Sequence, residues 1–105
     1  MRKCKLVNDV YFKVFKNSEV KLVAICDFGL VGQTFREGKL KLDVKSDFYK
    51  GSMSSFADAL HEIDAADIAN LVGTGIVEAA VRKGLVAPSA IVRIAGVPHV
   101  QIIRL

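Results

Sequence analysis

The spacing of apolar residues changes near residue 55, and this change constrains the fold more than any other feature of the chain. Before it, Lys39–Lys45 alternates charged with apolar residues, as a half-buried strand does. After it, Ser55 and Asp58 match a variant of the helix capping box. Apolar residues then recur at the spacing of one helix face, at Phe56, Ala59, Leu60 and Ile63. A β-rich half followed by helices predicts the α+β class.

Two hairpins are predicted at the ends of the chain. Val10–Lys16 and Val20–Cys26 are rich in β-forming residues and flank a turn signal, and the second becomes apolar on both faces, as a central strand does. Ile91–Ala95 and Val100–Leu105 flank a turn expected at Gly96–His99. The glycine-rich stretch between the second strand and Lys39 predicts an ordered connection that can include a short edge strand.

Two further helices are expected in the second half of the chain. Asp64 is placed to cap a short one that buries a stripe made by Ile68, Leu71 and Val72. Thr74 is expected to cap the next, which runs to about Lys83, and Gly84 is expected to end it.

These elements predict one domain over residues 1–105. Its mostly antiparallel sheet has four or five strands, and about three short helices pack on one face. The side chains of Lys39, Lys41 and Lys45 should be exposed. One core should contain Leu40, Leu42, Val44, Phe56, Leu60, Ile63, Val77 and Val81.

Composition excludes several classes of protein. With 51% hydrophobic and 25% charged residues in 105, the chain is neither disordered nor collagen-like. Its longest apolar run, Leu22–Cys26, is too short to cross a membrane. The basic N-terminal residues lack the apolar stretch of a signal peptide, and two cysteines make no disulfide framework. We therefore expect a cytoplasmic protein that does not contact membranes.

Charge is distributed unevenly along the chain. Residues 1–50 hold 11 Lys and Arg against 6 Asp and Glu, a net of +5, whereas residues 51–105 hold 4 against 5, a net of −1. The basic half favours a polyanionic partner, although lysines on solvated strand faces would give the same pattern. Aromatic residues between lysines on a sheet can stack bases and hold phosphates. The candidate RNA-binding residues are Tyr11, Lys13, Phe15, Lys21, Lys39 and Lys41.

Motifs for catalysis and cofactor binding are weak. Gly73-Thr74-Gly75 precedes a helix, but a nucleotide fingerprint needs a strand before it, and residues 66–72 are expected to be helical. Cys26 and Asp27 should point to opposite faces of a strand, so Cys26 is expected to be a core residue rather than a nucleophile. Two histidines and two cysteines lack the spacing of a zinc site. We predict no metal and no cofactor.

Four short elements occur in a fixed order: Asp27-x-x-x-x-Gly32 followed by Phe35-Arg36-Glu37-Gly38, Phe48-Tyr49-x-Gly51, Ile68-Ala69-Asn70-x-Val72-Gly73, and Gly96-Val97-Pro98-His99-x-Gln101. In this order and spacing they resemble a small archaeal family known as domain of unknown function 424, from about residue 10 to the end. The resemblance implies an archaeal, intracellular, single-domain protein and carries no chemistry. It places in the family pattern Asp27, Gly32, Tyr49, Gly51, Asn70, Gly73, Pro98 and His99.

Three functions follow as alternatives. The first is a non-enzymatic cytoplasmic accessory factor that contacts RNA or a ribonucleoprotein through the basic half. The second is a small enzyme or ligand-binding domain whose pocket gathers four polar residues of the family pattern, Asp27, Tyr49, Asn70 and His99. The same residues can instead serve turns and special backbone conformations. The third is a homo-oligomeric module in which Ile102–Leu105 pairs across an exposed sheet edge.

Overall fold

The structure is a computed structural model and describes residues 9–104. Within these residues no helix is long and apolar enough to cross a bilayer. The elements in chain order are β1 (Val10–Lys16), β2 (Lys21–Asp27), β3 (Thr34–Glu37), β4 (Leu40–Asp43), α1 (Ser46–Tyr49), β5 (Ser52–Ser54), α2 (Phe56–Asp64), β6 (Ile68–Val72), α3 (Thr74–Arg82), a 3₁₀ helix (Pro88–Ala90), β7 (Val92–Ile94) and β8 (Val97–Ile103).

The main sheet has six strands in the order β5-β1-β2-β6-β8-β7, and β3 and β4 form a separate two-stranded sheet. Every neighbouring pair is antiparallel except β2 and β6. The α+β class and the mostly antiparallel sheet are confirmed, but the number of strands is larger than predicted. The Lys39–Lys45 strand is confirmed as β4, although its partner is β3 rather than a strand of the main sheet.

The β1–β2 hairpin forms where the sequence predicts it, and β2 is a central strand. Its turn is held by the side chain of Asn17, whose Oδ1 accepts from the backbone N–H groups of Glu19 and Val20, both at 2.8 Å. A short polar side chain that bonds the backbone two or three residues ahead is a common way to make such a turn.

The helix predicted after Asp64 is wrong, because Ile68–Val72 is strand β6 and lies between β2 and β8. Asp64 ends α2 instead of capping a new helix. A strand covered on both faces shows a continuous apolar run, which hydrophobic spacing does not separate from a helix. Asp67 aligns the start of this strand with β2, since its Oδ2 accepts from the N–H of Lys21 at 2.9 Å.

The sheet is covered on both faces. On the side we call the helix face, α2 and α3 pack over Val23, Ile25 and Leu71. On the other side, which we call the hairpin face, α1 and the β3–β4 hairpin cover Ala24, Cys26 and Val72. The prediction that about three helices share one face is therefore wrong for α1. Four residues make this helix too short for its apolar spacing to be recognised.

Seven of the eight predicted core residues are buried or half-buried, but they belong to two cores on opposite faces of the sheet rather than to one. Leu60, Ile63 and Val77 are buried in the helix-face core, and Phe56 and Val81 are half-buried against it. Leu42 and Val44 are buried in the hairpin-face core. Leu40 is wrong, with 51% of its surface exposed, because it starts β4 beside the turn of the hairpin and the packed part begins at Leu42. The predicted exposed lysines are confirmed: Lys39, Lys41 and Lys45.

One turn and one helix cap differ from the prediction. The β7–β8 turn is Ala95-Gly96, with φ values of 53° and 82°, so Val97–His99 belongs to strand β8. Tight two-residue hairpin turns have positive φ at both residues, because this matches the twist of the flanking strands. Alanine rarely adopts positive φ, so its presence in the sequence does not predict such a turn. At α3, Gly73 rather than Thr74 occupies the capping position. Gly84 follows the helix with φ of 80°, as predicted.

Candidate functional site

Asp27 is the most constrained of the four candidate pocket residues. Its carboxylate accepts from the first free N–H groups of α3: Oδ2 from Gly75 at 2.7 Å and Oδ1 from Ile76 at 2.9 Å. Strand β2 ends beside the parallel strand β6, and α3 begins directly after β6, so Asp27 lies at the start of α3. It therefore caps a helix that lies 48 residues further along the chain.

The glycines before and within the first turn of α3 leave room for this carboxylate. A Cβ at Gly73 would collide with the carboxyl group of Asp27, and Gly73 also has φ of 119°. A Cβ at Gly75 would lie 2.5 Å from Cζ of Phe56. The expectation that a helix precedes Gly73-Thr74-Gly75 is wrong, because strand β6 precedes these residues. However, the position that a phosphate would occupy at this helix is filled by Asp27.

The other three candidate pocket residues share the hairpin face of the sheet. Tyr49 of α1 packs in the same cluster as Cys26 and Val72. Asn70 lies in the middle of β6, and His99 pairs with Val72 from β8 rather than lying in a turn. Asp27 points away from them, to the start of α3. The structure thus brings Tyr49, Asn70 and His99 to one face and separates Asp27 from them.

Burial favours the neutral forms of Cys26, Tyr49 and His99 on this face. Burial raises the pKa of the Cys26 thiol to about 12, with a smaller contribution from the charge of Asp27. Burial also raises the pKa of Tyr49 to about 12. Desolvation lowers the pKa of His99 below its usual value. Cys26 is fully buried, so its thiol is neither accessible nor ionised at neutral pH, which agrees with a core residue.

Burial also acts on Asp27. It raises the pKa of this carboxyl, while the hydrogen bonds from Gly75 and Ile76 oppose the change and the negative charges of Asp9 and Glu78 add to it. The two backbone hydrogen bonds thus only partly compensate the loss of water around the carboxylate.

Among residues 9–104, Asn70 is the one buried polar residue whose side-chain oxygen, Oδ1, has no hydrogen-bond partner. Only 8% of its surface is exposed. A buried acceptor without a partner costs about 1–3 kcal/mol. The side chain lies between Ala24 of β2 and Gln101 of β8 in the sheet register.

The aromatic residues proposed for RNA stacking pack against other rings. Tyr11 lies 4.7 Å from Phe28 between ring centroids, and the Nζ of Lys50 lies 5.9 Å from the centroid of its ring. Phe15 stacks on Phe48 at 5.2 Å. Each of these two rings therefore already has an aromatic partner within the protein.

The lysines proposed for RNA binding divide between surfaces. Lys13 donates to the carbonyl of Asp47 at 2.7 Å. Lys21 points to the helix face, where its Nζ lies 3.9 Å from a carboxylate oxygen of Glu62 on α2. Lys39 and Lys41 belong to the β3–β4 hairpin and are exposed. The six candidates do not form one continuous surface.

The outer face of the β3–β4 hairpin carries a cluster of basic side chains, of which the sequence assigns only Lys39 and Lys41 to RNA binding. Phe35 and Leu42 form the inner side, so the alternate pair, Arg36 opposite Lys41, points outward. Lys39 lies in the turn, and Lys45 continues the outward alternation after β4. We call Arg36, Lys39, Lys41 and Lys45 the basic hairpin face. Pairing the strands across Gly38-Lys39 in the sequence would have placed Arg36 beside Lys41.

Two surface cavities are not lined by any of the four candidate pocket residues. One, of about 290 Å³, lies beside the β1–β2 turn and is lined by Phe15, Lys16, Asn17, Val20 and Leu22. The other, of about 260 Å³, lies between α3 and β7. In the part of the chain that the structure describes, no group of three or more His, Cys, Asp and Glu is arranged to hold a metal ion.

Among residues 9–104, the C-terminal strand β8 is flanked on both sides at its start and on one side at its end, so the self-association proposal stays a prediction. β8 pairs with β6 over Val72–Ile68, and β7 pairs only with Val97–His99, which leaves one side of Gln101–Ile103 without a strand partner. Leu105, the last residue of the predicted strand, lies outside the described residues.

Comparison with known proteins gives a family and a fold. The family described as "Protein of unknown function (DUF424)" matches residues 15–105. The crystal structure of an uncharacterized conserved protein from Methanopyrus kandleri is similar, with a TM-score of 0.74 and 24% sequence identity over 89% of each chain. No curated protein matches the chain. At this identity the structural likeness shows a shared fold and nothing about activity.

Proposed function

The chain belongs to the DUF424 family of proteins of unknown function, and we propose that it is a non-enzymatic cytoplasmic accessory factor that binds the phosphate backbone of RNA. The RNA can be free or part of a ribonucleoprotein. The contact surface is the basic hairpin face, which keeps Lys39 and Lys41 from the sequence analysis and adds Arg36 and Lys45.

The observation that supports this proposal is the pairing of like charges in the hairpin. Arg36 and Lys41 lie directly opposite each other on the solvent side of β3 and β4. Like charges in such a pair destabilise a sheet by roughly 0.2–1 kcal/mol. The ion pair found within residues 9–104 joins Lys21 to Glu62, and neither Arg36 nor Lys41 reaches a carboxylate. A bound polyanion would offset this repulsion, because it attracts both Arg36 and Lys41.

The acidic residues of the hairpin are already engaged. Asp43 Oδ1 accepts from the hydroxyl of Thr34 at 3.2 Å on the outer side. Glu37 lies on the inner side, where its Oε1 accepts from the N–H of Ala95 at 2.7 Å. Asp43 is thus the one carboxylate on the outer side of the hairpin, and Arg36, Lys39, Lys41 and Lys45 together outnumber it, so the basic hairpin face keeps a net positive charge.

The proposed contacts are with phosphates and carry little sequence preference. Because Tyr11 and Phe15 pack on other rings, we assign neither of them a stacking role. Lysine and arginine contacts with phosphate oxygens position a nucleic acid without reading its bases.

A titration with single-stranded and hairpin RNAs of about 20 nucleotides tests the proposal. Four phosphate contacts predict a slope of about −3 in log K against log salt for single strands. Arg36→Ala with Lys41→Ala should halve the slope and weaken all RNAs about equally. The matched control, Lys16→Ala with Lys83→Ala, removes the same charge from exposed positions elsewhere.

Two results would count against RNA binding by the basic hairpin face. Equal loss of binding in both double variants would mean that net charge, rather than the basic hairpin face, attracts RNA. No binding at tens of micromolar protein and about 50 mM salt would contradict the proposal, because even nonspecific complexes form in that range.

One observation favours a second candidate, a ligand-binding role for the hairpin face. The unpartnered Oδ1 of Asn70 lies on the same face as His99 and can accept a hydrogen bond from a small polar ligand. Its experiment is the Asn70→Leu variant treated in the Discussion.

A further inference from the structure

We propose that the groove between α3 and β7 binds an extended acidic peptide of a partner protein, which adds as a strand to the free edge of β7. This proposal concerns a different surface from RNA binding, because the groove lies on the helix face of β7, whereas the β3–β4 hairpin contacts β7 from the hairpin face.

The groove exists because α3 ends short of the sheet edge. α3 packs mainly over β2, β6 and β8, so β7 extends beyond the helix. The resulting cavity has a volume of about 260 Å³. One wall is a stripe along α3, from Thr74 through Val77 and Val81 to Arg82. The rest of the lining comes from the segment before β7, from Arg93 and from Pro98.

The backbone of β7 offers hydrogen bonds at its outer edge. In the described part of the chain, residues 9–104, β7 is the terminal strand of the sheet. In a two-residue hairpin the residues that flank the turn, here Ile94 and Val97, form a hydrogen-bonded pair, and the pattern then alternates. Arg93 is therefore opposite Pro98 in a non-bonded pair, and its N–H and C=O point outward. An extended peptide can pair with these groups, as in other cases of strand addition.

The side chains of the groove select the chemistry of the peptide. Val77, Val81 and Pro98 make an apolar floor sized for one large side chain. Arg82 and Arg93 line the same groove, and neither reaches a carboxylate within ion-pair distance among the described residues. Glu78 is the single acidic residue of the lining, so the groove has a net charge of +1. This charge favours a peptide with acidic residues beside one apolar anchor.

The test uses the whole protein labelled with ¹⁵N and two capped heptapeptides. Each carries a central leucine and threonines, with flanking glutamates in one and lysines in the other. We expect the glutamate peptide, at up to about 1 mM, to shift the amide signals of Val92–Ile94 and α3. Hydrogen exchange at the Arg93 amide should slow, since strand addition protects that group. The lysine peptide should bind about tenfold more weakly or not at all.

Variants separate the groove from the rest of the surface. Val81→Trp fills the cavity from a half-buried position and should remove binding. Arg93→Glu, at an exposed position, should reverse the preference between the two peptides. The charge-matched control is Lys83→Glu, which lies at the end of α3 outside the groove and should change binding little.

Four results would overturn the proposal. These are no binding of either peptide, equal binding of both, signal changes confined to another surface, and an unchanged exchange rate at Arg93. A concentration-dependent dimer that Val81→Trp abolishes would instead assign the groove to a second copy of the chain. An RNA that displaces the glutamate peptide would show that the groove and the basic hairpin face are not separate sites.

Discussion

Replacing Asp27, which caps α3, should cost more stability than replacing Ser55, which caps α2. Its carboxylate bonds two backbone N–H groups of α3, and these belong to the set that a helix cannot satisfy internally. Asp27→Ala removes both bonds at a site where water has limited access. Asp27→Asn keeps the shape of the side chain but turns an N–H₂ group toward one of the helix donors.

The magnitude follows from the two bonds and from the burial that opposes them. A hydrogen bond to a charged group contributes about 1.5–3 kcal/mol, so two give about 3–6 kcal/mol. The raised pKa of Asp27 means that desolvation offsets part of this. We expect Asp27→Ala to lower the free energy of unfolding by about 2–4 kcal/mol and Asp27→Asn by about half of that. In a domain of this size the alanine variant should melt at least about 8 °C lower.

Chemical denaturation at pH 7, monitored by circular dichroism, measures these changes. The matched control is Ser55→Ala, which removes the cap of α2, a single bond of 3.2 Å to the N–H of Asp58. It should cost about 1 kcal/mol. If Asp27→Ala costs no more than Ser55→Ala, the carboxylate does not hold α3, and its place in the family pattern would then require a different role.

Three further predictions concern the hairpin face. Asn70→Leu should raise the free energy of unfolding by up to about 1–3 kcal/mol, because it removes a buried acceptor without a partner; a loss of stability in thermal denaturation would mean that Asn70 has an unseen partner in the fold. His99→Gln should flatten the pH dependence of the free energy of unfolding. The pKa of His99 is lowered in the fold, so neutral His99 contributes stability above about pH 6.5, and this stability is lost as pH falls through the folded pKa. An equal change in the free energy of unfolding of both proteins between pH 7.5 and about pH 5 would contradict this. Cys26 should resist iodoacetamide in the native protein and react after unfolding, as located by peptide mass spectrometry, and rapid native labelling would show that the hairpin-face core opens.

The parts of the fold that the sequence predicts correctly depend on neighbours within a few residues. The β1–β2 hairpin follows from two β-forming runs and the turn at Asn17, and α2 follows from Ser55 and its apolar stripe. Each signal lies within one continuous stretch, Val10–Cys26 for the hairpin and Ser55–Asp64 for the helix, so no knowledge of the rest of the fold is needed.

The parts that the sequence does not predict depend on distant contacts. β6 is a strand because β2 and β8 flank it, and its apolar run is equally compatible with a buried helix. The bond between Asp27 and α3 joins segments 48 residues apart, and nothing in either segment alone identifies the other. The groove beside β7 is likewise formed by α3, the segment Pro88–Ile91 and two strands.

The family-pattern positions can now be divided by whether the fold explains them. Asp27 and Gly73 form one interlocked cap, and a Cβ at Gly51 would lie 2.5 Å from the carbonyl oxygen of Phe12. These residues need no ligand to account for their identity. Asn70 differs, because its burial costs stability and brings no hydrogen bond to Oδ1. A function that requires one particular side chain is therefore best sought at Asn70, whereas RNA and peptide binding as proposed here depend on charge and backbone that several residue types can supply.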